Sequence, residues 1–293
     1  MPDVEGRIDH LAADVQGKRL FVAALGNNSM EVLDLAAGKR ITSTKGLHEP
    51  QGIAYAADLH RVFVANGGDG KCRIYDSATL KFIHIIRVGD DADNVRFDAA
   101  AKRIWVGYGS GALVEMDAAT GKRLGEVPLK GHPESFQLEK SGSRIFVNVP
   151  TAGHIAVIDR QKRTVIATWP VEQARSNFPM ALDEAEHRLF IGCRKPPRVL
   201  VYDTGTGSLL SATECVGDTD DLFYDAERKR LYVSGGEGFL SVFEPREDGK
   251  YASLGKIPTA AGARTGLFVP ELKRFYLAVP HRGAQQAEVR AYE

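Results

Sequence analysis

The chain has little with which to build a covalently or metal-stapled scaffold. Its 293 residues include three cysteines, Cys72, Cys193 and Cys215, scattered singly without Cys-x-x-Cys or histidine-rich spacing. That excludes a disulfide framework and a structural zinc knuckle. There is no surplus of charge either: Lys plus Arg is 38 and Asp plus Glu is 38, so no basic field gathers nucleic acid or anionic lipid. Partners of those two kinds are not expected. No apolar run approaches membrane length, and the opening MPDVEGRIDH lacks a charged-then-apolar leader. The expected compartment is the cytoplasm, or the periplasm or exterior if a leader has been removed. No stretch keeps a 3.6-residue apolar period for three turns, so helices are not expected. A Gly-x-Ser-x-Gly elbow and a Gly-x-Gly-x-x-Gly turn between strand and helix are both missing. Gly67-Gly68-Asp69-Gly70 and Gly235-Gly236-Glu237-Gly238 read as hairpin loops rather than phosphate cradles.

What the chain does have is repetition. The stretch Pro50 to Val88 reads as four short β-branched and aromatic runs, GIAYA, RVFVA, CRIYD and FIHIIRV, separated by turn-formers. An Arg followed by an apolar residue and an aromatic opens the second run, and it recurs at Arg19, Arg61, Arg103, Arg144, Arg188, Arg230 and Arg274, spaced 41 to 44 positions apart. An acid closes the third run of each unit: Asp34, Asp76, Asp117, Asp159, Asp203, Glu244 and Glu293. Two marks keeping one period near forty, with four strands per period, predict an all-β, seven-bladed β-propeller built of four-stranded antiparallel blades. One domain, 1–293, is expected, with blades at 8–46, 47–89, 90–131, 132–174, 175–217, 218–260 and 261–293. The last unit lacks a fourth run, and Pro2 to Arg7 are expected to pair there as the closing strand. Asp14, Asp98, Asp183 and Asp225, five positions before the repeat Arg, read as turn caps.

These marks, together with Pro-x-Gly-ϕ-Ala as in Pro50-Gln51-Gly52-Ile53-Ala54, resemble the YVTN family of seven-bladed propellers, also called YncE-like, along essentially the whole chain. The resemblance implies the fold and says little of function, because proteins of several roles share it. With only Trp105 and Trp169, the repeated tryptophan motif of quinoprotein propellers is missing.

Function is therefore sought where units depart from the shared pattern. Counting back ten and nine positions from each repeat Arg gives Asp9-His10, Gln51-Gly52, Asp93-Asn94, Glu134-Ser135, Phe178-Pro179, Asp220-Asp221 and Arg264-Thr265. Five units place ionisable or amide groups at one structural position, which in a propeller is where the inner strand enters beside the central channel. Crowded carboxylates need a cation, a proton or an arginine, because each like charge raises its neighbour's pKa. The expected site is an axial divalent metal with His10, Asn94, Glu134 and Asp221 as ligands. His132, Asp93 or Asp220 would serve as base, and Arg264 would stabilise developing negative charge. An all-oxygen set favours calcium or magnesium, and a liganding His10 moves the preference toward manganese, iron or zinc. The arrangement looks like that of the six-bladed gluconolactonase and paraoxonase propellers, which implies by analogy a metal-dependent hydrolase of lactones, esters or phosphotriesters. Two alternatives stay open. One is a non-catalytic module, expected to be a monomer, that binds a small molecule or a protein through the same face. The other is a hydrated pore whose polar entries satisfy backbone N–H groups.

Overall fold

Runs of Val, Ile, Phe and Tyr broken every six or so residues by Asp, Gly, Thr and Asn have few options but short antiparallel strands. The computed structural model describes every residue except Ser110. It forms six four-stranded antiparallel meanders and a seventh sheet of three strands, the fold of a seven-bladed β-propeller. Blade one comprises Leu11–Asp14, Arg19–Ala24, Ser29–Asp34 and Lys39–Lys45, and blade two Pro50–Ala56, Arg61–Asn66, Lys71–Asp76 and Phe82–Arg87. Blades three and four open at Val95–Asp98 and Phe136–Leu138, blades five and six at Arg175–Asp183 and Thr219–Asp225, and the seventh sheet at Gly266–Val269. The described residues contain no α-helix, only four one-turn 3₁₀ segments, and no helix long and apolar enough to cross a membrane.

Contacts group the sheets into two compact units: Met1–Pro128 with Glu271–Glu293, and Leu129–Pro270. In the first, Phe63, Ile74, Ile104, Val106 and Met116 form a buried cluster. In the second, Phe146, Leu189, Ile191, Leu200 and Tyr202 do the same. The middle strands are therefore apolar on both faces, while outer strands such as Lys39–Lys45 carry the polar residues. Cys72, Cys193 and Cys215 are free thiols within these cores, 0 to 6% exposed.

The repeat marks resolve into a staple and a cap. Arg19 donates to the Ser77 carbonyl of blade two, Arg61 to Ala118 O of blade three (2.8 Å), and Arg144 of blade four to Thr204 O of blade five. Each repeat Arg of this kind fastens its blade to the next at the end of the third strand. The third-strand acid in turn accepts the N–H groups of the turn that follows, as Asp76 does from Ala78 and Thr79 (3.1 and 2.7 Å). Asp14, Asp98, Asp183 and Asp225 cap the first hairpins as expected, for example through Gly17 N–H to Asp14 at 2.8 Å.

The expected closing strand at Pro2 to Arg7 is not formed. Gly6 has φ +69°, which breaks an extended run; the segment's backbone bonds to blade one, while the Glu5 carboxylate pairs with His281 of the seventh repeat. Gly26 N–H donates to Arg7 O (2.9 Å), Glu5 N–H to Asn27 Oδ1 (3.3 Å), and Arg40 pairs with Asp3 (2.8 Å), while Val4 is fully buried. The segment is a packed coil and not a sheet strand.

Candidate functional site

Six of the inner strands enter their sheets through an irregularity, and this falls where the variable residue pair lies in the repeat. In blade one Asp9 N–H donates to Ala23 O and Ala23 N–H to His10 O, at 2.8 and 3.0 Å, so two residues face one. Asp93 and Asn94 face Gly107 in the same way (2.9 and 3.0 Å), and Glu134 and Ser135 face Asn148 (3.0 and 3.1 Å). In blade six the register slips between Thr219 and Asp221, leaving Asp220 bulged, and blades two and five slip between Pro50 and Ile53 and between Asn177 and Met180. Bulges re-aim side chains, so regular alternation no longer sets which way each member of a pair faces. They also demand small partners: a Cβ on Gly192 would lie 2.5 Å from Pro179 Cγ.

In the first unit, Asp9 is 4% exposed and accepts from Arg7 Nη2 at 3.1 Å, with His10 Nε2 3.7 Å from its other oxygen. Asp93 and Asn94 are buried at 7 and 2%, and the carbonyl oxygen of Asn94 is a buried acceptor with no hydrogen bond among the described residues. His10, Asp93 and Asn94 thus hold equivalent entries of blades one and three.

The second unit carries His132, Glu134, Asp220, Asp221 and Arg264. His132 and Glu134 each offer a ligand atom, the two within 4.8 Å of one another, on the approach to blade four. Asp220 and Asp221 separate completely. Asp221 turns toward the next strand and accepts Gly266 N–H at 2.9 Å. Asp220 is held between two guanidiniums, by Arg194 Nη2 on Oδ1 at 2.6 Å and Arg264 Nε on Oδ2 at 2.8 Å. Arg194 Nε–H also donates to Thr219 O (2.8 Å), and its Cζ lies 3.7 Å from the centre of the Phe178 ring. Arg264 Nη1 reaches the Asp218 carboxylate at 3.0 and 3.3 Å, and its backbone carbonyl accepts from Ser234 Oγ at 2.6 Å. Buried amides support this end of the sheets: Asn148 donates to Phe178 O and Pro179 O (3.0 and 3.1 Å), and Asn177 donates to Asn148 Oδ1 (2.8 Å). Nearby His154, whose carbonyl accepts from Asn177, is pushed toward its neutral form by burial.

Asp218 was not among the expected site residues, and Arg194 had no expected part in metal binding or catalysis. A signal for them is present in the sequence: Asp218, Asp220 and Asp221 fall within four positions against the single Arg264, a surplus that calls for another cation, and Arg194 lies near the end of the second strand of the adjoining blade.

No family model matches the chain. It is 22% identical over 209 residues to the uncharacterized protein YncE of Salmonella typhimurium strain LT2, and equally to that of Salmonella typhi. The match takes in 69% of this chain and 58% of each relative, so the chain spans less than two thirds of their length. Among solved structures, a chain of Kuenenia stuttgartiensis hydrazine synthase superposes with TM-score 0.84 at 15% identity, covering 94% of both chains. A chain of the mitotic checkpoint complex superposes with TM-score 0.81 at 11% identity, over 99% of this chain and 92% of that one. Identities this low carry the fold and no activity. The chain is similar in sequence to the two YncE proteins, at 22% identity, and is a seven-bladed β-propeller in fold.

Proposed function

We propose that the chain is a ligand-binding propeller whose binding surface is the strand-entry end of blades four to six. One observation carries this reading: Asp220 fixes Arg194 and Arg264 side by side while Phe178 backs Arg194, and both guanidiniums remain partly exposed, at 18 and 21%. Cationic side chains already held in one conformation lose little freedom when a ligand arrives, which is what preorganised recognition requires. The same contacts weigh against Asp220 as a general base. A carboxylate whose two oxygens each accept a charge-assisted hydrogen bond has no oxygen left open to take a substrate's proton.

A thermal-shift series tests the reading. Carboxylates, inorganic phosphate, neutral sugars and salts of divalent cations are added to the parent protein and to Arg194→Gln. At least one compound is expected to raise the parent's midpoint and not the variant's. A parent midpoint indifferent to every compound would sink the reading.

A metal-dependent hydrolase of lactones, esters or phosphotriesters is the second reading, favoured by the proximity of His132 to Glu134. An imidazole and a carboxylate are a donor pair suited to manganese or zinc, and His132 then acts as ligand and not as base. The metal would supply a polarised carbonyl or phosphoryl oxygen and an acidified water. Metal content before and after chelation, followed by turnover of the three ester classes, decides it. About one equivalent retained, with turnover lost on chelation, establishes the hydrolase; an absence of both removes it.

A further inference from the structure

Within the Arg194–Arg264 network the two carboxylates are unequal. Asp220 is 13% exposed, takes one hydrogen bond from each arginine, and is part of the scaffold. Asp218 is 41% exposed. Its oxygens lie 3.0 and 3.3 Å from a single nitrogen of Arg264, and one is 3.8 Å from Arg194 Nε, beyond hydrogen-bonding range. It is a carboxylate resting against two guanidiniums without the bidentate contact that either can make. The surroundings are fitted to the Asp218 side chain. Gly236 sits beneath the Asp218 side chain, where a Cβ would meet Asp218 Oδ2 at 2.1 Å, and Gly217 makes the matching crossing with Glu237 at 2.1 Å. The loop Gly235-Gly236-Glu237-Gly238 is thus bare only at Gly236, beneath Asp218, while its Glu237 carboxylate turns back to accept Gly217 N–H (2.9 Å). Its backbone is already committed, with Gly236 N–H donating to Asp218 O (3.0 Å) and Gly238 N–H to Gly235 O (3.0 Å), so it offers no phosphate cradle.

We infer that Asp218 is an internal stand-in for a ligand carboxylate, and that the arginine pair recognises small carboxylic acids by displacing it. The inference rests on the binding reading above and names the ligand class of that site. The charges are consistent. Arg194, Arg264, Asp218 and Asp220 sum to zero, and exchanging the side-chain carboxylate for a ligand's keeps that sum. A ligand free to approach both guanidiniums squarely gains the two-pronged geometry that Asp218, tethered at a φ of +51°, does not reach. Small aliphatic carboxylates, of which gluconate is one, carry the group that this exchange requires.

Calorimetric titration of gluconate and of inorganic phosphate into the parent protein, Asp218→Asn, Asp218→Gly and Asp218→Asn/Arg194→Gln tests the inference. Asn and Gly both tolerate the left-handed backbone at this position. Removing the competing charge is expected to tighten gluconate binding at least about tenfold in both single variants, the scale of one charged hydrogen bond. The double variant is expected to lose that gain while keeping its circular dichroism and a cooperative melt, at a midpoint lowered by the lost Arg194–Asp220 contact. Gluconate binding in Asp218→Asn and Asp218→Gly no tighter than in the parent overturns the inference, as does a double variant that binds as well as the single one. Phosphate bound more tightly than gluconate overturns the carboxylate assignment. Any of these results leaves the binding reading standing if another compound still stabilises the parent through Arg194, so the two fail separately.

Discussion

The two ends of the blades teach different lessons. At the end where third strands stop, one arrangement is repeated: Asp34, Asp76, Asp117, Asp159 and Asp203 each accept two N–H groups of the following turn. At the end where inner strands enter, the backbone irregularity is shared but the side chains are not. Asp9 takes Arg7, Asp220 takes two arginines, Asp221 takes a backbone N–H, and His132 stands near Glu134. Uniform chemistry on a repeated backbone is what folding requires of every blade. Varied chemistry on the same backbone is what a site requires of a few.

If that contrast holds, substitutions at the two ends differ in size and in spread. The largest effect is expected at Asp220. Asp220→Ala leaves two partly buried guanidiniums without their shared partner and should cost about 3 kcal/mol in urea unfolding, the scale of breaking an enclosed ion pair. A loss below about 1 kcal/mol would mean that the network is a surface feature. Arg144 comes next. It bonds Glu139 through Nε at 2.9 Å and staples Thr204, so Arg144→Ala should cost about 2 kcal/mol, and Arg144→Lys should recover only a part because it lacks the fork. Full recovery by lysine would reduce the staple to a point charge. The smallest of the three lies at the uniform end, where Asp117→Ala and Asp203→Ala should each cost roughly 1 kcal/mol and agree with one another. A marked difference between them would break the equivalence of the blades.

The same contrast explains how much could be read from the residues alone. The sheets were legible because the Arg and Asp marks are local: each sits at a fixed offset from a turn whose hydrogen bonds it satisfies, so a period near forty exposes them. The position of the variable pair was legible for the same reason. Which member of a pair faces which partner was not, because bulges at 177–180 and 219–221 cancel the alternation by which strand side chains are ordered. Arg194 escaped because its partner Asp220 is 26 residues away, and only the slip of register aims one at the other. The closing strand misled because Pro2 to Arg7 has the right length, yet Gly6 at positive φ interrupts the extended run, and the backbone of the segment bonds to blade one while the Glu5 side chain reaches the seventh repeat, at His281.

The last and smallest effect concerns acid. The Asp117 and Asp203 carboxyls are held below the usual carboxylate range, chiefly by the backbone N–H groups of Thr120 and Thr206, with Arg103 and Arg188 adding their charge. A carboxyl whose folded pKa is depressed stabilises the fold above its unfolded value, near 4, and that contribution is lost as pH falls through the folded pKa. The folded protein releases these protons more readily than the unfolded chain does, so stability must decline as the solution is acidified below about pH 4. The combined Asp117→Ala/Asp203→Ala variant lacks both groups and should lose less on acidification than the parent, its curve of unfolding midpoint against pH being flatter between about pH 4 and 2. Parallel curves would place the acid sensitivity elsewhere, with the entry-end carboxylates the next to examine, and the turn end would then be uniform in geometry without being uniform in energy.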